Sequence, residues 1–94
     1  MPWPHGILAL AYFEHREYGE AIAEADRARD EGLLVAVASY AALGRLEDAR
    51  ATLSRALAQE PGLTLAQVRQ RNPFRDPADL DHLLGNLREA GLAS

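Results

Sequence analysis

The chain repeats itself. Laid against itself at an offset of 28 residues, it places Tyr12 on Tyr40, Ala21 on Ala49, Ala23 on Ala51, Arg27 on Arg55 and Ala28 on Ala56, while Tyr18 falls on Leu46 and Ala25 on Leu53. Each copy carries an aromatic residue, then a turn, then small residues at intervals of four and three. A small side chain removes the bulk that holds two helix axes apart, so the pattern specifies a two-helix unit, made twice, whose helices nest closely.

The rest of the chain reads as helix too. The one β-branched cluster, Val35 and Val37, is interrupted by alanines, and nothing alternates for more than a few residues. Glycine and proline punctuation divides the chain into segments. A first helix starts at Pro4 and runs to about Glu14 or His15, with Ile7, Leu8, Ala11 and Tyr12 on one face and Leu10 and Phe13 on others. That is more apolar surface than a single neighbouring helix can bury. A second helix runs from about Tyr18 to Asp30, with Gly32 expected as its left-handed terminator. A third covers about Leu33 to Leu43 and ends at Gly44; a fourth covers about Leu46 to Gln59 and is stopped by Pro61 and Gly62.

Beyond the repeat, Thr64 and Gln67 have capping-box spacing, and Leu63 and Val68 stand where a hydrophobic staple would. They open a short fifth helix that ends near Arg71, because Pro73 disfavours a helical Asn72. Asp76 then caps a last helix with Pro77 at its first position and Leu80, Leu83, Leu84 and Leu87 at helical spacing. Gly91 ends it, and Leu92 falls where it closes onto Leu87 in a Schellman-type turn. Gly85 inside this helix predicts a close helix contact.

Composition excludes several function classes. There is no cysteine, which removes disulfide scaffolds and cysteine-ligated zinc. No apolar run approaches the roughly 20 residues of a membrane span, and the first residues lack the basic start and apolar stretch of a signal peptide. All 10 basic residues are arginine, against 14 acidic ones, and a net charge of −4 argues against nucleic acid and acidic membrane as partners. His5 and His15 lie about 15 Å apart along one helix, and His82 has no histidine one turn away, so the three read as surface residues rather than a metal site. No nucleophile elbow and no phosphate-binding glycine loop is present. Glu47 with Asp48 and Asp30 with Glu31 are neighbours at helix ends, where the helix dipole accounts for the first pair and no opposed partner supports acid–base work. Arg45, Arg50 and Arg55 have acidic neighbours and read as solvated surface; Arg69, Arg71 and Arg75 around Phe74 form one local basic patch, suited to an acidic partner segment.

The second copy, with Tyr40, then Gly44-Arg45-Leu46-Glu47-Asp48-Ala49-Arg50, then Leu53, Ala56 and Pro61, resembles the tetratricopeptide repeat. The first keeps Leu8, Ala9, Tyr12, Tyr18, Ala21 and Ala28, but has Arg16 where a turn glycine is usual and no closing proline. The offset of 28 is shorter than the family's repeat of about 34 residues, and the shortfall lies around Asp30 to Leu34. The tail, Pro61 to Ala66, Asn72 to Leu80 and Leu87 to Leu92, together with Trp3-Pro4-His5, is similar to the C-terminal end of bacterial multidomain signalling proteins, in which a nucleotide cyclase-like or winged-helix domain precedes the repeats.

The resemblance implies an all-α superhelix of two helical hairpins followed by a short helix and a C-terminal capping helix. It forms one domain over 1–94, with repeat 1 about 4–32, repeat 2 about 33–62 and a capping region 63–94. It implies a non-enzymatic, cytoplasmic protein-interaction module, the capped end of a larger signalling or regulatory protein, with no cofactor, metal or small-molecule substrate. In such an array the first helices line a concave face, on which Leu10, Phe13, Glu14, Leu34, Ala38, Ala41 and Ala42 would point into a groove for a protein or peptide. Two alternatives stand beside it: the tail folds back and fills the groove as part of the core, or a second copy of the chain pairs through the exposed first helices, because two repeats are fewer than the roughly three usually needed for a stable array.

Overall fold

Six helices make up the regular structure in the computed structural model, which describes residues 5–28, 32–71 and 77–93. They are α1 (His5–Glu14), α2 (Tyr18–Ala28), α3 (Leu33–Ala42), α4 (Leu46–Gln59), α5 (Leu65–Gln70) and α6 (Pro77–Ala90). The described residues contain no strand, so the chain is all-α. The expected cap at Asp76 and helix start at Pro4 lie outside the described residues.

The internal repeat is physical. Helices α1 and α3 begin 28 residues apart, as do α2 and α4. The turns between them carry the same hydrogen bonds. In the first, the backbone N–H groups of His15, Arg16, Glu17 and Ala21 donate to the carbonyls of Ala11, Phe13, Tyr12 and Glu17, at 3.1, 3.0, 2.8 and 2.9 Å. In the second, those of Leu43, Gly44, Arg45 and Ala49 donate to Ser39, Ala41, Tyr40 and Arg45, at 3.1, 3.0, 2.9 and 3.0 Å. Each is a Schellman ending, with one residue in the left-handed region: Arg16 at φ 61° and Gly44 at φ 79°. The same device closes α6, where Leu92 N–H donates to Leu87 O, Gly91 N–H donates to Arg88 O, and Gly91 has φ 110°.

Helix α3 is the centre of the core. It packs against α1, α2, α4 and α6, and Leu33, Val35, Ala36, Val37, Ala38 and Ser39 are all buried. A helix enclosed on several sides has no polar face to show, and this one is written in small and β-branched apolar residues. Of the repeat's alanines, Ala21 and Ala49, at equivalent positions, are both fully buried, Ala25 is buried opposite the start of α3, and Ala23 and Ala51 are exposed.

Gly32 is not the left-handed terminator expected. Its φ is −94°, and it forms the N-cap of α3. What requires glycine there is proximity: a Cβ would stand 2.5 Å from the carbonyl oxygen of Ala25 and 2.6 Å from its Cα. The start of α3 rests directly on the backbone of α2. Gly85 corrects the expectation in the opposite direction, since it is exposed and a Cβ there would meet nothing within 4 Å.

The C-terminal helices close the domain from the far side. Thr64 accepts a hydrogen bond from Gln67 N–H at 3.3 Å, starting α5 as its sequence specifies. Leu80, Leu83, Leu84 and Leu87 of α6 are buried together with Ala90 and Leu92, and α6 packs on α3, α4 and α5. Leu65 N–H donates to Ala93 O at 2.8 Å, tying the tail back to the beginning of α5.

Candidate functional site

The seven residues expected to line a groove do not share one environment. Phe13 and Ala38 are 0% exposed, so neither faces an open groove. Leu10, Leu34 and Ala41 are half-buried and packed against the core, Ala42 is half-buried, and Glu14 is exposed. Part of the reason is α6. It lies on α3, and it meets the first hairpin at His82.

His82 sits in a cluster drawn from three elements. Its ring stacks on Phe13 of α1, with centroids 4.9 Å apart and planes 25° from parallel. Tyr18, at the start of α2, tilts against both rings, at 5.6 Å from Phe13 and 6.1 Å from His82. Its hydroxyl lies 2.8 Å from His82 Nε2, and a guanidinium nitrogen of Arg16 approaches the same ring nitrogen to 2.8 Å and the Tyr18 hydroxyl to 3.4 Å. Asn86, one turn further along α6, donates its side-chain amide to the carbonyl of His82 at 2.9 Å. Burial pushes the His82 pKa below its ordinary 6.5, the charge on Arg16 pushes the same way, and Asp79 opposes them. Both contacts of Nε2, to Arg16 and to Tyr18, join α6 to the first hairpin.

The histidine reading above missed this cluster. His82 was expected on the surface and is a half-buried tie. One sequence signal pointed here, namely Arg16 standing where a turn glycine is usual. A non-glycine residue in the left-handed region costs about 1–2 kcal/mol, and Arg16 held there makes its contacts to Tyr18 and His82.

The basic patch finds its acids within the chain. Arg71 makes a paired contact with Glu60, at 2.9 and 2.8 Å to its two carboxylate oxygens, and this hydrogen bonding holds the Glu60 carboxyl below its usual range and raises Arg71. Arg69 lies 3.9 Å from Asp81. Two of the three arginines expected to hold an acidic partner are therefore directed at the chain itself, while Arg75 and Phe74 lie outside the described residues. Arg45, just before α4, pairs with Asp48 at 2.8 Å and covers the ring of Tyr40 at 4.9 Å from its centroid.

Two clefts open beside α3. One of about 220 Å³ lies between α2, α3 and α4 and includes Asp26, Tyr40 and Arg55 in its lining; the other, about 210 Å³, includes Leu34, Leu63, Glu60 and Arg71. Among the described residues no three histidine or acidic side chains gather as a metal site, and no helix is long and apolar enough to cross a membrane. Against family models, curated proteins and solved structures, the chain gives no match.

Proposed function

We propose that this chain is a protein-interaction module, a tetratricopeptide-like pair of hairpins closed at one end by α5 and α6, and belongs to a bacterial signalling or regulatory protein. The observation that carries the reading is the recurrence of the whole turn at an offset of 28 residues, hydrogen bond for hydrogen bond. Stacked hairpins of one kind build extended surface, and such surfaces serve to hold other chains. The strip a partner would use is narrower than the sequence implied: Leu10, Glu14, Leu34, Ala41 and Ala42 remain partly or fully accessible, while Phe13 and Ala38 serve the core.

A photo-crosslinking side chain placed at Glu14 tests this in cells of the source organism. The reading expects a discrete crosslinked partner at Glu14 that is absent when the same group is placed at Ala58, which is exposed on α4. Identical crosslinks from both positions, or none from either, count against the strip as the site.

The second reading, self-association through the first helices, rests on α1. This helix is apolar around its circumference, yet its packed neighbours α2 and α3 leave Leu8, Leu10 and Tyr12 half-buried and Ala11 exposed. Light scattering at high micromolar concentration separates the two, because a monomer rejects pairing and leaves the interaction module standing.

A further inference from the structure

We propose that His82 is an acid-sensitive pin: its neutral ring fastens α6 to the first hairpin, and protonation opens that contact. The argument starts from what each neighbour is able to do. A guanidinium has only donors and keeps its proton in proteins. Arg16, 2.8 Å from Nε2, therefore requires a lone pair on that nitrogen, which places the ring's single proton on Nδ1 and leaves the ring uncharged. The Tyr18 hydroxyl, also 2.8 Å away, competes with the guanidinium for that one lone pair. A proton added at Nε2 removes the acceptor from both donors and sets a second positive charge against the guanidinium.

The surroundings do little to accommodate that charge. From α1, Phe13 covers one face of the ring at 4.9 Å and keeps water from it. From the first turn and α2 come Arg16 and Tyr18. From α6 itself, Asn86 is uncharged, donates to the His82 carbonyl and brings its amide nitrogen to 3.4 Å from Nδ1, and Asp79, among the described residues, favours the protonated ring but is outweighed by burial and Arg16. The open form thus takes up a proton more readily than the closed one. The closed contact keeps its full contribution above pH 6.5, the ordinary histidine value, and loses it as the pH falls from there to the lower midpoint of the closed form.

The test uses the full chain by NMR, following the His82 ring signal and the amide exchange of Leu83, Leu84 and Leu87 from about pH 8 to about pH 5, in the wild type and in His82→Gln. The ring is expected to titrate below 6.5. Opening of α6, corrected for intrinsic exchange, is expected to rise by up to about tenfold per pH unit in the wild type, the limit for one proton, and to stay level in the variant. A midpoint at or above 6.5, or the same pH dependence in both proteins, overturns the proposal. Arg16→Gly keeps it falsifiable should the first variant fail to fold, because glycine suits the left-handed turn. Removing the guanidinium is expected to raise the His82 midpoint, and an unmoved midpoint overturns the pin.

Discussion

The two hairpins have one backbone and two different jobs. Their turns superpose bond for bond, yet where α1 carries Leu10 and Phe13, α3 carries Ala38 and Ala41, and where the first turn has Arg16 in the left-handed region, the second has Gly44. The difference follows from position. Helix α3 has neighbours on several sides, α6 among them, and small side chains let those neighbours come close. Helix α1 leans on α2 and the edge of α3, and Phe13 supplies the bulk that reaches across to His82. A repeat in sequence thus sets the path of the chain, while what stacks against each copy decides which side chains it keeps.

That contrast can be broken most sharply at Phe13. Phe13→Ala is expected to cost about 3–5 kcal/mol in urea denaturation, whereas Ala41→Gly, at the equivalent position, is expected to cost about 0.5–1 kcal/mol. Similar losses would mean that the two first helices bear equal load. The joint between hairpins comes next: Gly32→Ala directs a methyl at the backbone of Ala25 and is expected to cost about 1–3 kcal/mol, read as a lowered thermal midpoint. Making the turns alike is a smaller change. Gly44→Arg copies the first turn without its partners and is expected to cost about 1–2 kcal/mol by the same denaturation measurement. An unchanged midpoint would show that the left-handed position carries no strain. The smallest effect has the opposite sign. Ser39 is fully buried and its hydroxyl has no hydrogen-bond partner among the described residues, while its counterpart in the first hairpin is Ala11. Ser39→Ala is expected to raise stability by about 1 kcal/mol, and a loss would reveal a partner for the hydroxyl.

The helices were legible because their ends are local. Thr64 with Gln67, Gly44, Pro61 and Gly91 with Leu92 each act within a turn of the chain, and the observed boundaries follow them closely. Gly32 was misjudged because a glycine after a helix looks the same whether it is needed for a left-handed φ or for another backbone pressing on it. Only the fold brings Ala25 against it. His82 was illegible for a stronger reason. Its partners are 64 and 66 residues away, and neither spacing nor periodicity links an α6 histidine to the first turn. The family resemblance set Phe13 in an open groove, whereas its ring is buried against His82 from the other end of the chain.

The Arg16 and His82 tie also orders events in time. Each hairpin is made of contacts only a few residues apart, and such contacts form quickly because little chain entropy is lost in closing them. Joining His82 to Arg16 closes a loop of 66 residues, the slower kind of step. The hairpins should therefore assemble before α6 settles, and a refolding experiment that follows the His82 ring should see it arrive after the helices of the repeat. The feature that distinguishes the first turn from the second would then also mark the end of folding.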